Sequence, residues 1–197
     1  MIKLTIRTLG VLFLLVLFDQ LAGEILDYLR DHSPDGRYYK ALYSLEQCNE
    51  DVIILGSSRG EMNYNPFIIE DSLKMTCWDA SRGGEGMAYF RSIQEGILAR
   101  YAPKLVILNV EGNMLEDPPS YVENGFLRPF YKDHKEIRPF INKISKYERL
   151  LMLSRLYAYN SSFYYLIRPY FIQGLDGNKE EKGWKPRDGH IDPVFVR

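Results

Sequence analysis

Apolar and polar positions divide this chain into an N-terminal hydrophobic run, a strand-and-helix alternation and a helical second half. Met1-Ile-Lys-Leu-Thr-Ile-Arg7 supplies two cations, and the stretch from Leu9 to Phe18 is then unbroken apolar until Asp19. That run alone is short for a spanning helix. Counting back to Leu4 lengthens it, with Arg7 able to reach toward the headgroups. Leu21, Ile25, Leu26 and Leu29 continue at helical spacing with charges between them, so a stalk helix leads out to His32 before Ser33-Pro34-Asp35-Gly36 breaks it. A short amphipathic piece from Arg37 to Glu50 leads into Val52-Ile-Ile-Leu55, a β-branched run that stops at Gly56 and reads as a strand buried on both faces. Asn65 as cap and Pro66 in the first turn start a helix with Phe67, Ile68 and Leu73 on its apolar side. Lys74 to Trp78 forms a second strand, ending in the loop Asp79-Ala-Ser-Arg-Gly-Gly-Glu-Gly86. Phe90, Ile93, Ile97, Leu98 and Tyr101 mark the best-patterned helix, stopped at Ala102-Pro103, and Leu105 to Val110 is a third strand of buried type. Strand, helix, strand, helix, strand over residues 51 to 113 predicts a parallel, doubly wound sheet with right-handed crossovers.

The second half follows another pattern. Tyr121 to Lys132 is an aromatic, irregular segment. Glu136 to Tyr159 is largely helical with an interruption at Pro139, and Ser161 to Ile172 is a further apolar-aromatic helix broken around Pro169. Gly174 to Arg187 is polar and glycine-bearing, hence an exposed loop, and Val194 to Val196 is the one remaining strand candidate. Three parallel strands make a small sheet, so the domain is expected to continue past the end of this sequence. The expected organisation is a signal anchor and stalk over residues 1–30 and an α/β domain over 45–197.

Composition narrows the function classes. With 197 residues and a formal net charge of -1, the chain has room for one sizeable core and no general attraction for nucleic acid. Fifteen tyrosines among 14% aromatics argue for a folded chain. Cys48 and Cys77 form no metal-type cluster; they either pair in an oxidising compartment or remain two buried thiols. No metal or cofactor is expected. The cation-then-apolar order at the N-terminus, with Gln20 and Ala22 a poor cleavage pattern, favours an uncleaved anchor over a cleaved signal or a buried cytosolic helix. The remainder then faces the periplasm or cell exterior.

Three loops follow the three strands with three kinds of chemical group: the hydroxyls of Ser57 and Ser58, the backbone N–H groups of Gly83, Gly84 and Gly86, and the side-chain amide of Asn113. In a parallel sheet these gather at the carboxyl edge. A nucleophile beside an amide and a backbone donor suits acyl transfer, because negative charge grows on the carbonyl oxygen in the tetrahedral state. Arg59 and Arg82 near the strand ends either hold an anionic substrate or form local ion pairs. A phosphate cradle at Gly83-Gly-x-Gly86 lacks the rest of a dinucleotide fingerprint. The aromatics from Phe126 to Phe171 are either core or a glycan-stacking platform, with core the better fit to helical spacing.

Gly56-Ser57-Ser58-Arg59 after Val52-Ile-Ile-Leu55 resembles the first block of the SGNH (GDSL-like) hydrolases, and Asp79-Ala-Ser-Arg-Gly-Gly84 and Glu111-Gly112-Asn113 resemble the second and third. Asp79, Ser81 and Met114 depart from the family's residues. The resemblance implies a three-layer, flavodoxin-like parallel sheet with Ser58 as nucleophile and Gly84 and Asn113 as oxyanion donors. Its membrane-anchored envelope branch, which adds or removes acyl groups on teichoic acid or polysaccharide, resembles the chain more closely. There too a signal anchor precedes a Gly-Ser-Ser element, and Ser154-Arg-Leu-Tyr-Ala-Tyr-Asn160 is similar to a segment of that branch. The implied function is a membrane-anchored, extracytoplasmic esterase or O-acyltransferase taking an acyl donor or acylated glycan. The alternative is a non-catalytic envelope protein binding a glycan or a membrane partner in the same crevice. The family's Asp-x-x-His block has no counterpart: of His32, His134 and His190, only Asp188-Gly-His190 approaches it, with the wrong spacing. The general base is therefore expected beyond Arg197, or the chain is catalytically dead.

Overall fold

The structure, a computed structural model, describes residues 2–115, 121–160, 162–172 and 182–186. A single helix, α1 (Ile2–Asp31), contains the whole apolar run and the stalk. Its stretch Lys3–Asp31 is long and apolar enough to cross a membrane, and from Leu4 to Phe18 its large apolar side chains are exposed. Beyond Asp19 the same helix packs on the rest of the protein. Leu26 joins the core, and Arg30 is buried with its guanidinium donating to Pro129 O and over the Phe130 ring, 5.0 Å from the centroid.

After the turn at 33–36 come α2 (Gly36–Leu42) and a π-helical turn (Tyr43–Gln47), then β1 (Val52–Leu55). The serines after β1 begin α3 (Ser58–Asn63), followed by α4 (Pro66–Leu73), where Asn65 Oδ1 caps Phe67 N–H at 2.9 Å. Strand β2 spans Cys77–Asp79 and starts three residues later than the pattern predicted. Lys74 takes the left-handed conformation (φ 53°) as the cap of α4, so the chain cannot extend until beyond it. Helix α5 (Met87–Leu98) leads to β3 (Leu105–Leu108).

All three strands are parallel in the order β2-β1-β3, with Ile54 opposite both Asp79 and Ile107. Side chains alternate between the sheet's faces. Ile53 and Leu55 join a core with α2 and α5, which includes Leu45, Phe90, Ile93 and Ile97. Val52, Ile54 and Cys77 pack on the other face against Tyr64 and Ile69. The predicted α/β character and small parallel sheet are therefore present, with helices on both faces. β3 differs from its buried reading. It is an edge strand in the described residues, and Leu105 and Leu108 are 40% and 44% exposed because no neighbour covers their outer side.

The second half wraps the end of α1. The irregular aromatic segment is a 3₁₀ helix, Val122–Phe130. The expected long helix is instead three one-turn helices: α6 (Arg138–Ile141), α7 (Glu148–Leu151) and α8 (Arg155–Ala158). Pro139 begins α6 rather than interrupting a helix. Ser154 Oγ accepts from Tyr157 N–H at 3.2 Å, restarting the chain locally as α8. Helix α9 (Phe163–Phe171) runs through Pro169. The aromatics divide: Phe126, Phe130 and Tyr159 surround Tyr38 in the core, whereas Phe163, Tyr164 and Phe171 are exposed. Cys48 and Cys77 are free and buried, so they do not pair.

The expected exposed loop at 174–187 is corrected where it is described. Residues 182–186 form a strap on the outer edge of β2: Lys182 O accepts Asp79 N–H, Glu61 O accepts Lys185 N–H, and Trp184 Nε1 donates to Met62 O, all at 2.9 Å. Free backbone groups at a strand edge bind any extended segment, polar or not. Val194–Val196 and His190 lie outside the described residues.

Candidate functional site

Beyond the strand ends the backbone pairing continues for a few residues. Ile54 O accepts Ala80 N–H at 2.9 Å, Leu55 O accepts Asn109 N–H at 2.8 Å, and Gly56 O accepts Arg82 N–H at 2.8 Å. The loops after β2 and β3 are thereby drawn against the serine loop after β1. Gly56 is required there: a Cβ on it would stand 2.8 Å from Asn109 Cβ and 3.1 Å from Gly60 Cα.

The two serines have different surroundings. Ser57 is buried, and its hydroxyl donates to the Glu111 carboxylate just after β3. Ser58, one residue on, is exposed at the first position of α3. A methyl group on Gly83 would lie 3.4 Å from Ser58 Cβ, so the glycine loop and Ser58 are immediate neighbours. Gly84 follows at φ +83°, a conformation that side chains other than hydrogen rarely adopt, and a Cβ there would meet nothing within 4 Å. An exposed serine thus stands beside Gly83, and the next residue, Gly84, is left-handed with open space where a side chain would lie. Asn113 lies in a 3₁₀ turn, Gly112–Leu115, two residues after Glu111; its side chain is outside the described residues.

A buried charged network supports the loop from below. The carboxylate of Glu61 accepts Gly83 N–H through Oε2 at 2.9 Å and meets Lys40 Nζ through Oε1 at 3.3 Å. Gly83's donor is thus occupied by a resident carboxylate, which removes one group a phosphate cradle would need. Arg82 is buried, with Nη2 3.1 Å from Glu85 and its guanidinium 3.4 Å from the Phe126 ring centroid. It is a structural cation rather than a free anion clamp. Arg59 is 70% exposed and lies 3.7 Å from Glu111.

Asp79 is fully buried at the end of β2, its Oδ1 accepting Ser81 N–H at 2.9 Å. Burial pushes its carboxyl up to about 7, against the opposing pull of the Lys40 ammonium. The folded protein therefore keeps a proton that the unfolded chain has released above its own pKa of about 4, so stability falls as pH rises from about 4 to about 7. The full effect is about 4 kcal/mol at most, at about 1.4 kcal/mol per unit. Asp79→Asn keeps the acceptor for Ser81 and is expected to flatten this slope. Unfolding midpoints in denaturant at pH 5 and pH 8 should converge in the variant and differ in the parent protein.

The described histidines are engaged elsewhere. His32 Nδ1 lies 2.9 Å from Tyr28 O, and its ring stacks on Tyr28. His134 sits between Glu46 and Glu136 at 3.2 and 3.0 Å; burial disfavours its charge, but the two carboxylates outweigh that and raise its pKa. Among the described residues, no histidine bonds either serine.

The sequence places Ser58 and Gly84 in neighbouring loops and names Asp79 and Glu111 only as members of the second and third blocks; it assigns no role to Glu61 or Lys40. Glu61 carried a faint signal, since an acid three residues after Ser58 has the spacing of a capping box. It reaches across to the glycine loop instead. Nothing local links Lys40 to it across the intervening strand. Comparisons with protein families, with curated proteins and with solved structures find no match to this chain.

Proposed function

We propose that this chain is a membrane-anchored, extracytoplasmic serine esterase or O-acyltransferase of SGNH type, acting on acylated cell-envelope glycans. The observation that carries this reading is the exposed Ser58 hydroxyl beside the Gly83–Gly84 loop at the carboxyl edge of a parallel sheet. In the proposed reaction Ser58 Oγ attacks the acyl carbonyl carbon. The oxyanion is received by Gly84 N–H and the Asn113 amide; a general base outside the described residues takes the Ser58 proton and returns it to the sugar oxygen as the ester C–O bond breaks, so that the sugar leaves as an alcohol. The glycan's acyl group then resides on Ser58 until water or a second hydroxyl takes it. Glu111 acts as a positioning residue, holding the Ser57 hydroxyl and, through it, the turn that presents Ser58.

One observation favours the second reading, in which the crevice binds a glycan without chemistry. Among the described residues, no group bonds the Ser58 hydroxyl in a way that would take its proton, and an unassisted serine is a weak nucleophile. The two readings separate in one assay. The full chain in detergent micelles is mixed with an O-acetylated polysaccharide, and released acetate is measured. The enzyme reading expects release that falls by more than about 10³-fold in Ser58→Ala. Glycan binding without acetate release by the parent protein would favour the binding module.

A further inference from the structure

Helix α8 runs alongside α1 in the same direction. At its start, Ser154 Oγ and the N–H groups of Arg155 and Leu156 all donate to Asp19, at 2.6, 2.9 and 3.2 Å. Just past its end, Tyr159 donates its hydroxyl to Asp27. Between them the Arg155 guanidinium binds Glu24 and Asp27. Asp19 is the residue that ends the bare apolar run of α1. The chain that enters α8 from α7 is therefore held level with the last turn of that run. What it presents there is apolar: Leu150 and Leu153 are 65% and 72% exposed, and Tyr147 57%. Lys143, Lys146 and Arg149 are exposed around them, while the acid of this segment, Glu148, is fully buried against Arg128.

We propose that the segment from Tyr147 to Leu153 is a second membrane contact, seated in the headgroup region of the leaflet from which α1 emerges. Lys143, Lys146 and Arg149 face anionic lipid. Leucines set among basic residues and a tyrosine match the chemistry of the membrane interface, where aromatic rings and cations sit at headgroup level and apolar tips reach the acyl boundary. The position decides the occupant. When α1 spans the bilayer, a surface pinned to Asp19 lies at the lipid boundary, whereas a soluble partner would have to displace headgroups to reach it. Such a contact fixes the tilt of the α/β domain relative to the membrane, because α1 beyond Asp19 is one body with that domain through Arg30, Asp27 and Arg155. The proposal rests on the membrane placement of α1 and is independent of the chemistry at Ser58.

The test places a tryptophan at each level of the full chain reconstituted in vesicles with dibrominated acyl chains, which quench indole on contact. Leu153→Trp reports the patch, Phe18→Trp the end of the apolar run, and Ile68→Trp on the exposed side of α4 the solvent. Quenching of the parent protein, which carries Trp78 and Trp184, is subtracted. The expected result is at least half as much quenching at position 153 as at position 18, and none at 68. Exchanging Lys146 and Arg149 for glutamate should reduce the signal at 153 in phosphatidylglycerol vesicles but not in phosphatidylcholine alone. Quenching at 18 without quenching at 153 would leave the patch to a protein partner and overturn the proposal. Quenching at neither position removes α1 from the bilayer, and the proposal with it. Leu150→Trp repeats the measurement should Leu153→Trp fail to fold.

Discussion

Gly84→Ala is expected to slow reaction of Ser58 with a fluorophosphonate by about 10²–10³-fold, the usual effect of losing one oxyanion donor. At φ +83° the added methyl group forces the peptide out of its present orientation, and space is not the obstacle, since a Cβ there would meet nothing within 4 Å. The strain itself is worth about 1–2 kcal/mol, so the unfolding midpoint should drop modestly while the rate falls steeply. Measured together, the second-order labelling rate and the denaturant midpoint separate the two effects. Wild-type labelling by a folded Gly84→Ala protein would take Gly84 out of the oxyanion role.

The largest stability effect is expected at the ion pair that locks α7 to the 3₁₀ helix before it. The Glu148 side chain has no exposure, Arg128 has 12%, and the two bond directly. Tyr157 adds its hydroxyl at 3.3 Å to Glu148 Oε1 and its ring 4.9 Å from the Arg128 guanidinium. Arg128→Leu leaves a carboxylate with no counter-ion in an apolar setting and is expected to cost about 3–5 kcal/mol. Adding Glu148→Leu removes the stranded charge and should restore most of that loss, because a well-packed apolar pair replaces a buried ion pair at little net cost. Equilibrium unfolding of the two single variants and the double variant closes the cycle. A double variant no more stable than Arg128→Leu would show that packing, not charge, dominates at this position.

Legibility from sequence followed how local the physics was. The strands of residues 51 to 113 were readable because Val52–Leu55 and Leu105–Leu108 are short apolar runs whose partners need only be other such runs. Asn65-Pro66 fixed the start of α4 by chemistry within two residues. By contrast, the helical stretch from Glu136 onward broke into single turns. Ser154 offers the backbone a local partner, and tertiary bonds such as those from Asp19 then hold each piece, which periodicity alone cannot foresee. The strap at residues 182–186 was hidden for a related reason, since its contacts with β2 and α3 are made largely by backbone groups that carry no residue signature. In the candidate site, Ser58 and Gly84 were found because they lie in the segments that follow strands, whereas Lys40 and Glu61 meet only through the fold.

The full chain is treated with a fluorophosphonate, digested, and its adduct located by tandem mass spectrometry. The phosphonyl group is expected on Ser58, absent from Ser58→Ala and retained in Ser57→Ala, whose hydroxyl is buried on Glu111 in the parent protein. An adduct on Ser57 or any other residue, or a folded protein that takes none, contradicts Ser58 as the nucleophile.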